Sequence, residues 1–311
     1  MSIVPIVFAF DSKLILPACI CMSSLLANAK EDTFYDIFIL YADKDEIDKE
    51  MLCRITDHYP HCSIQFITIE NCFESAYEIR GITQPTYYRL LLPELIRQYD
   101  KIIYSDVDII FRMDLSELYH QSIDSYYIAA TCDFGLSLNE EGVSYLKKMN
   151  IQAKEYLQAG FIMMNLKKMR EENCVDRFKM EAKKKYKFQD QDILNIVCQG
   201  KIKFLPPGYN MTNYAFDYCT HKRDILLQHY TEGQLYDFIL NGNIHYNGQK
   251  PWKGYCINFD IWWEYYRESP FFDEKFYFDF FAKKMGELDR LSLWKRIKLL
   301  MRYFTYGRMK S

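Results

Sequence analysis

Short apolar runs alternate with amphipathic segments through roughly the first third of the chain, and this constrains the fold more than any single motif. The runs at 3–10, 35–41, 63–69 and 102–105 read as strands. The segments at 14–28, 45–58 and 86–98 read as helices, with Pro17 tolerated in a first turn and a kink expected near Pro93. Strands and helices that take turns in this way favour a mostly parallel sheet covered by helices on both faces. Further strands are expected near 127–130 and 159–166, and a basic helix over 176–186. At 311 residues the chain can bury one large core, or one domain carrying an extension.

Ligands of such sheets bind beyond the carboxyl ends of the strands. Asp11 falls at one such end, after the first strand. At another, the fourth strand opens into Asp106-Val107-Asp108 and the sequence turns apolar again at Ile109, Ile110 and Phe111. Side chains two apart on an extended segment share a face, so both carboxylates can converge. They would repel each other unless a cation or a proton sat between them. Hard oxygen ligands suit Mg²⁺ or Mn²⁺, ions that commonly hold substrate phosphates. An isolated Asp-x-Asp is more often a capped turn. Apolar flanks on both sides make a half-buried functional pair the better reading.

Other residues could complete such a site. Of the six histidines, only His245 lies in a compact polar loop beside a glycine and a lysine. An imidazole can finish an Asp–Asp site for Mn²⁺, although a lone loop histidine usually has no special role. Gly248 would let backbone approach a diphosphate, and Lys250 would give it a point charge. Arg89 is a further cation, or simply a helix-surface arginine. Asp190, Gln191 and Asp192 read as a helix N-terminus, where acids are favoured and where a cleft is often faced.

The net charge of −3 gives no bias toward nucleic acid. No apolar run approaches the roughly 20 residues that span a bilayer. Ten cysteines without a metal-type C-x₂-C pair read as reduced thiols of a cytoplasmic protein. Aromatics at 17% fit either an aromatic-rich core or a site for sugars or bases. A boundary is expected near 260, giving a domain over 1–260 and an extension over 261–311 rich in aromatics and cations. Over 291–311, Lys295, Arg296, Lys298, Arg302, Arg308 and Lys310 face no acidic residue, and Leu293, Trp294, Ile297, Leu300, Met301 and Phe304 recur at helical spacing. Such a helix suits an anionic membrane surface, or docks on the protein's own core.

Seven markers in order resemble glycosyltransferase family 8, which includes bacterial lipopolysaccharide galactosyl- and glucosyltransferases and glycogenin. They are Val7-Phe-Ala-Phe-Asp11, Thr86-Tyr-Tyr-Arg-Leu90, Tyr104-Ser-Asp-Val-Asp108, Ala159-Gly-Phe-Ile-Met-Met-Asn-Leu166, Gln189-Asp-Gln-Asp-Ile-Leu-Asn195, Asn213-Tyr-Ala-Phe216 and His245-Tyr-Asn-Gly-Gln-Lys-Pro-Trp252. The resemblance implies a GT-A fold with a Rossmann-like sheet, and retaining transfer of glucose or galactose from a UDP-sugar to a glycan or lipid-linked glycan. It implies Mn²⁺, with Mg²⁺ as the alternative, on Asp106, Asp108 and His245. Ala9, Asp11, Asp106, Val107, Gly160, Gly248 and Lys250 would then contact the nucleotide sugar. Arg89, Asp190 and Gln191 would act around the reacting sugar. Gln158 departs from the family, whose members often carry Asn there, and Leu14 stands where an aromatic often meets uracil. The loop from His245 to Lys250 is one residue shorter than in close relatives. Reduced thiols make the cytoplasm the expected location, and a membrane-binding tail would make the protein peripheral on the inner face of the plasma membrane.

Three rivals share features with this reading. A HAD-type phosphohydrolase also uses Asp-x-Asp after a strand, but usually near the start of the chain. A non-catalytic glycan- or nucleotide-binding protein would lack the metal ligands. A sugar-phosphate nucleotidyltransferase would carry a Gly-rich loop near the N-terminus, which this chain lacks.

Overall fold

Val4, Ile6, Val7 and Phe8 are buried completely, which makes the first apolar run a central strand. The computed structural model describes residues 2–70 and 85–307. Ten strands are found there: β1 Ser2–Ala9, β2 Thr33–Ala42, β3 Cys62–Ile69, β4 Lys101–Ser105, β5 Ile109–Ile110, β6 Ile128–Cys132, β7 Leu157–Asn165, β8 Ile202–Phe204, β9 Met211–Thr212 and β10 Ile244–His245. Seven form one sheet in the order β3-β2-β1-β4-β7-β6-β8. All its pairings are parallel except those of β7, which runs against both β4 and β6. Pro5 has no N–H to donate, and it precedes the stretch of β1 that pairs with β4, which starts at Ile6.

That reversal positions the site. β4 ends at Ser105, and the antiparallel β7 begins beside that end, with Ser105 opposite Phe161. The Asp106 N–H donates to the Gly160 carbonyl at 2.7 Å, so the start of β7 grips the Asp-x-Asp turn. A second sheet of three short strands, β5-β10-β9, covers the same edge. It pairs Ile109 with His245 and Ile244 with Met211.

The helices follow the expected plan with shifted ends. Ile15–Ala27 is buried along most of its length, and Pro17 lies in its first turn. The helix expected from 45 starts at Lys49, where the Asp48 side chain caps it by accepting from the Met51 N–H at 2.9 Å. Near Pro93 the expected kink is a 3₁₀ turn, Arg89–Leu91, between one-turn helices Pro85–Tyr88 and Leu92–Leu95. The basic helix runs over Cys174–Glu181 and stops before its lysine run.

The chain divides into two compact units, Met1–Pro270 and Phe271–Ser311. The helix Phe259–Glu268 belongs to the first and buries Trp262, Trp263 and Tyr266. Asn28, at the end of Ile15–Ala27, donates to its Tyr265 hydroxyl at 2.9 Å. The second unit holds the helices Glu274–Asp289 and Leu293–Gly307. The side chains of Arg302 and Phe304, and residues Arg308 and Lys310, lie outside the described residues. The nine described cysteines are free.

Candidate active site

Asp106 and Asp108 do converge, and each spends one oxygen on a cation. Asp106 Oδ1 accepts from Arg89 Nη2 at 2.8 Å and from the Tyr104 hydroxyl at 3.1 Å. Asp108 Oδ2 accepts from Lys250 Nζ, which also donates to the Tyr246 carbonyl. The second oxygens turn toward His245: its Nε2 lies 4.0 Å from Asp106 Oδ2 and 3.2 Å from Asp108 Oδ1. The 3.2 Å approach lacks hydrogen-bond geometry, and Asp108 Oδ1 is a buried oxygen with no hydrogen bond. Burial by itself would raise the Asp108 carboxyl, but the Lys250 ammonium holds it well below the usual carboxylate range.

His245 arrives on a two-residue strand rather than in a loop. Its pairing with Ile109 sets it beside Asp108, and the Tyr246 N–H donates to the Asp108 carbonyl at 2.9 Å. Gly160 completes the cradle. A Cβ there would sit 2.3 Å from His245 Cε1 and 2.8 Å from Asp106 Oδ2.

Among the described residues, Asp106, Asp108 and His245 are the one group of His, Cys, Asp or Glu side chains spaced to share a metal ion. Neighbouring ligands of an octahedral ion with bonds of about 2.1 Å stand about 3 Å apart. The orphaned Asp108 oxygen and the 3.2 Å gap fit that demand. Two hard oxygens with one imidazole form a donor set suited to a divalent cation.

Arg89 is no surface arginine: its side chain is almost fully buried and stacks on the Tyr104 ring, 4.2 Å from the centroid. Its Nε donates to the Thr86 carbonyl at 3.0 Å, and the Asp190 carboxylate lies 3.1 Å from the same nitrogen. That N–H is already spent, so the contact with Asp190 is one of charge alone. Burial raises the Asp190 carboxyl to about 7, against the pull of Arg89.

The helix Gln189–Val197 carries the acidic motif, and Gln189 enters it with φ of 47°. Asp190 and Gln191 face the site. Asp192 does not, because residues two apart on a helix diverge. It accepts instead from the Tyr145 and Tyr156 hydroxyls, both at 2.6 Å. Gln191 is pinned at both ends: its Oε1 accepts from the Ala159 N–H at 3.0 Å and its Nε2 donates to Asp133 at 2.9 Å.

Arg89, Asp106, Asp108, Gly160, Asp190, His245 and Lys250 thus form one connected group, with Gln191 bound to it through Ala159. Ala9 and Asp11 end β1 at the same edge of the sheet, and Asp11 caps the turn Ser12–Leu14. Val107 is buried between the aspartates. Gly248 sits against Asn213, where a Cβ would come within 2.9 Å of Nδ2. The sequence reading missed Tyr104 as a partner of Asp106, Asp133 as the anchor of Gln191, and Asn210, which bonds His245 at 2.8 Å.

The family model for glycosyl transferase family 8 matches residues 5–256. A putative glycosyltransferase of Haemophilus influenzae is 31% identical over 238 residues, 72% of this chain and 70% of its own length. A lipopolysaccharide 1,2-glucosyltransferase of Escherichia coli is 28% identical over 176 residues, covering 55% of this chain and half of the relative. Among solved structures, the bifunctional glycosyltransferase WbbM superposes with a TM-score of 0.71 at 26% identity, over 89% of this chain and 51% of that one. The galactosyltransferase LgtC, in complex with donor and acceptor sugar analogues, superposes with a TM-score of 0.69 over 87% of this chain and 98% of its own, a likeness of fold at 24% identity.

Proposed function

The chain belongs to glycosyltransferase family 8, and from that premise we propose that it transfers glucose or galactose from a UDP-sugar to a glycan or lipid-linked glycan, with retention at the anomeric carbon. One observation carries the reading. Asp106, Asp108 and His245 each have one polar atom occupied by a neighbouring side chain, and their remaining donor atoms face one another.

The bond from the anomeric carbon to the diphosphate breaks with its electron pair leaving on UDP. A divalent ion on Asp106, Asp108 and His245 would supply Lewis-acid charge to that diphosphate. Lys250 and the backbone at Gly248 would contact the same diphosphate, the lysine offsetting its charge. Ala9, Asp11 and Val107 hold the nucleoside portion. Arg89, Gly160, Asp190 and Gln191 surround the sugar as it becomes oxocarbenium-like.

The reading favours same-face attack. A carboxamide committed at both ends, as in Gln191, is a poor nucleophile, and Asp190 is buried against Arg89. The acceptor oxygen then bonds to the anomeric carbon on the departing side, and its proton passes to the leaving diphosphate.

UDP release from UDP-glucose and UDP-galactose, with Mn²⁺ and with chelator, tests the proposal. Release that needs Mn²⁺, prefers one donor and disappears in Asp108→Ala is expected. Metal-independent release, or full activity in Asp108→Ala, would refute it.

A further reading concerns residues 291–311. Leu293, Trp294 and Leu300 are exposed on the helix Leu293–Gly307 beside Lys295 and Lys298. Among the described residues no helix is long and apolar enough to cross a membrane. The exposed apolar and basic side chains support an extension that holds the enzyme on an anionic membrane surface, at the inner face of the plasma membrane, where a lipid-linked acceptor would be met.

A further inference from the structure

We propose that Gln158 and Asn210 are positioning residues for the metal site, and that together they fix which nitrogen of His245 carries the proton. The proposal rests on reading Asp106, Asp108 and His245 as a divalent-cation site.

The deduction begins at a group whose role is unambiguous. The Gly160 backbone N–H can only donate, and it points at the Gln158 carboxamide at 2.8 Å, so the atom it meets is Oε1. The same oxygen lies 2.6 Å from the Asn210 side chain. An oxygen must be met by a donor, so Asn210 presents Nδ2 there and turns Oδ1 the other way. Asn210 Oδ1 lies 2.8 Å from His245 Nδ1. An amide oxygen can only accept, so Nδ1 holds the proton. Three hydrogen bonds in series thus resolve both amide orientations and the imidazole tautomer, which heavy-atom positions alone leave ambiguous.

The consequence falls on Nε2. With Nδ1 committed as donor to Asn210, Nε2 is the ring nitrogen left facing Asp106 and Asp108, and the one placed to ligate a cation between them. Nε2 approaches Asp108 Oδ1 to 3.2 Å without hydrogen-bond geometry, and that oxygen has no other partner, so both atoms remain available to one cation. All three members are buried: Asn210 is 1%, His245 2% and Gln158 8% exposed. Water is therefore poorly placed to substitute for a lost partner. The anchor is also economical, because the Gly160 carbonyl receives the Asp106 N–H. One residue of β7 thereby sets both the aspartate and, through Gln158, the histidine.

This gives Gln158 a task different from contact with the sugar. Its oxygen is committed to Gly160 and Asn210, so its effect on the reaction passes through His245. Partners of a metal-ligating histidine typically change metal affinity by about 10–100-fold.

The test is Mn²⁺ affinity of the full chain, read from the electron paramagnetic resonance signal of free Mn²⁺. Gln158→Met, which removes the acceptor at similar size, is expected to weaken binding about tenfold, and Asn210→Leu by about 10–100-fold. Gln158→Glu keeps an acceptor oxygen facing Gly160 and Asn210 and is expected to bind at least as tightly as the wild type. The double variant Gln158→Met/Asn210→Leu should bind no worse than Asn210→Leu alone, since Gln158 acts only through Asn210. Two independent structural effects would add instead, and additivity would overturn the proposal. So would wild-type affinity in Gln158→Met, or a Gln158→Glu variant as weak as Gln158→Met. Failure of the wild-type chain to bind Mn²⁺ would overturn the cation site along with it, which separates the two ideas.

Discussion

Asp190 binds its proton far more tightly in the folded chain than an ordinary carboxyl, because burial raises it to about 7 from the usual value near 3.8. The sign of the effect follows from proton counts. Between about pH 4 and 7 the folded state holds a proton there that the unfolded state has lost, so stability falls as pH rises through this window. The shift corresponds to roughly 4 kcal/mol in total. Asp190→Asn keeps the size and an acceptor oxygen while removing the titration. Its urea-unfolding free energy is expected to vary less between pH 4 and 7 than that of the wild type, and to exceed it at pH 8. Parallel pH profiles for the two proteins would contradict the assignment. Gly160 gives a second expectation. The methyl group of Gly160→Ala would meet His245 Cε1 and Asp106 Oδ2 well inside contact distance. Both must move, so Mn²⁺ affinity should fall at least tenfold in a chain whose circular dichroism is unchanged. Calorimetry showing normal Mn²⁺ binding would place the metal elsewhere.

The helix Gln189–Val197 holds Asp190 and Gln191 in place through a residue one turn further on. Asn195 Oδ1 accepts from the Leu157 N–H at 2.7 Å, and its Nδ2 donates to the Leu157 carbonyl at 3.1 Å and to the Gln191 carbonyl at 2.8 Å. Asn195→Ala would strand buried backbone groups at the start of β7, at a cost of roughly 2–4 kcal/mol. Urea denaturation should show that loss, together with reduced turnover; a change under about 0.5 kcal/mol, as at a surface position, would show that the bridge contributes little. The sequence made this helix and the long strands legible for a physical reason. Strands buried on both faces leave continuous apolar runs, as β1 and β2 do, and those can be recognised locally. A two-residue strand has no period. β5, β9 and β10 exist because Ile109 pairs with His245, far away along the chain, and no window of sequence contains that information. The carboxylate pair and His245 were recognisable as residue types, whereas Asn210 lay in a Pro- and Gly-containing loop with nothing to mark it. Asp192 was legible only as an acid near a helix start. Its hydrogen bonds to Tyr145 and Tyr156, which give it a structural role, depend on tertiary packing.

A glycan acceptor on a lipid would confine the reaction to a surface, and the second compact unit has the chemistry to reach one. On the helix Leu293–Gly307, Trp294 is 80% exposed and Leu293 71%, more than chance exposure of large apolar side chains requires. Its cations are not equivalent. Arg296 donates through Nε to the Leu291 carbonyl at 3.0 Å and so helps tie the start of the helix to the preceding segment. Lys295 and Lys298 are exposed and better suited to meet anionic headgroups. Each cation near such a surface contributes about 1 kcal/mol, so the pair is expected to raise membrane affinity roughly 30-fold. The full chain should sediment with vesicles containing anionic lipid and stay in solution with neutral ones, and the difference should shrink as salt is raised. Reversing both charges, Lys295→Glu with Lys298→Glu, should abolish the preference while leaving Mn²⁺-dependent UDP release intact, because neither residue lies in the group around Asp106. Sedimentation that ignores lipid charge, or that survives the double reversal, would mean that these side chains serve packing instead, and that the acceptor is reached without help from the tail.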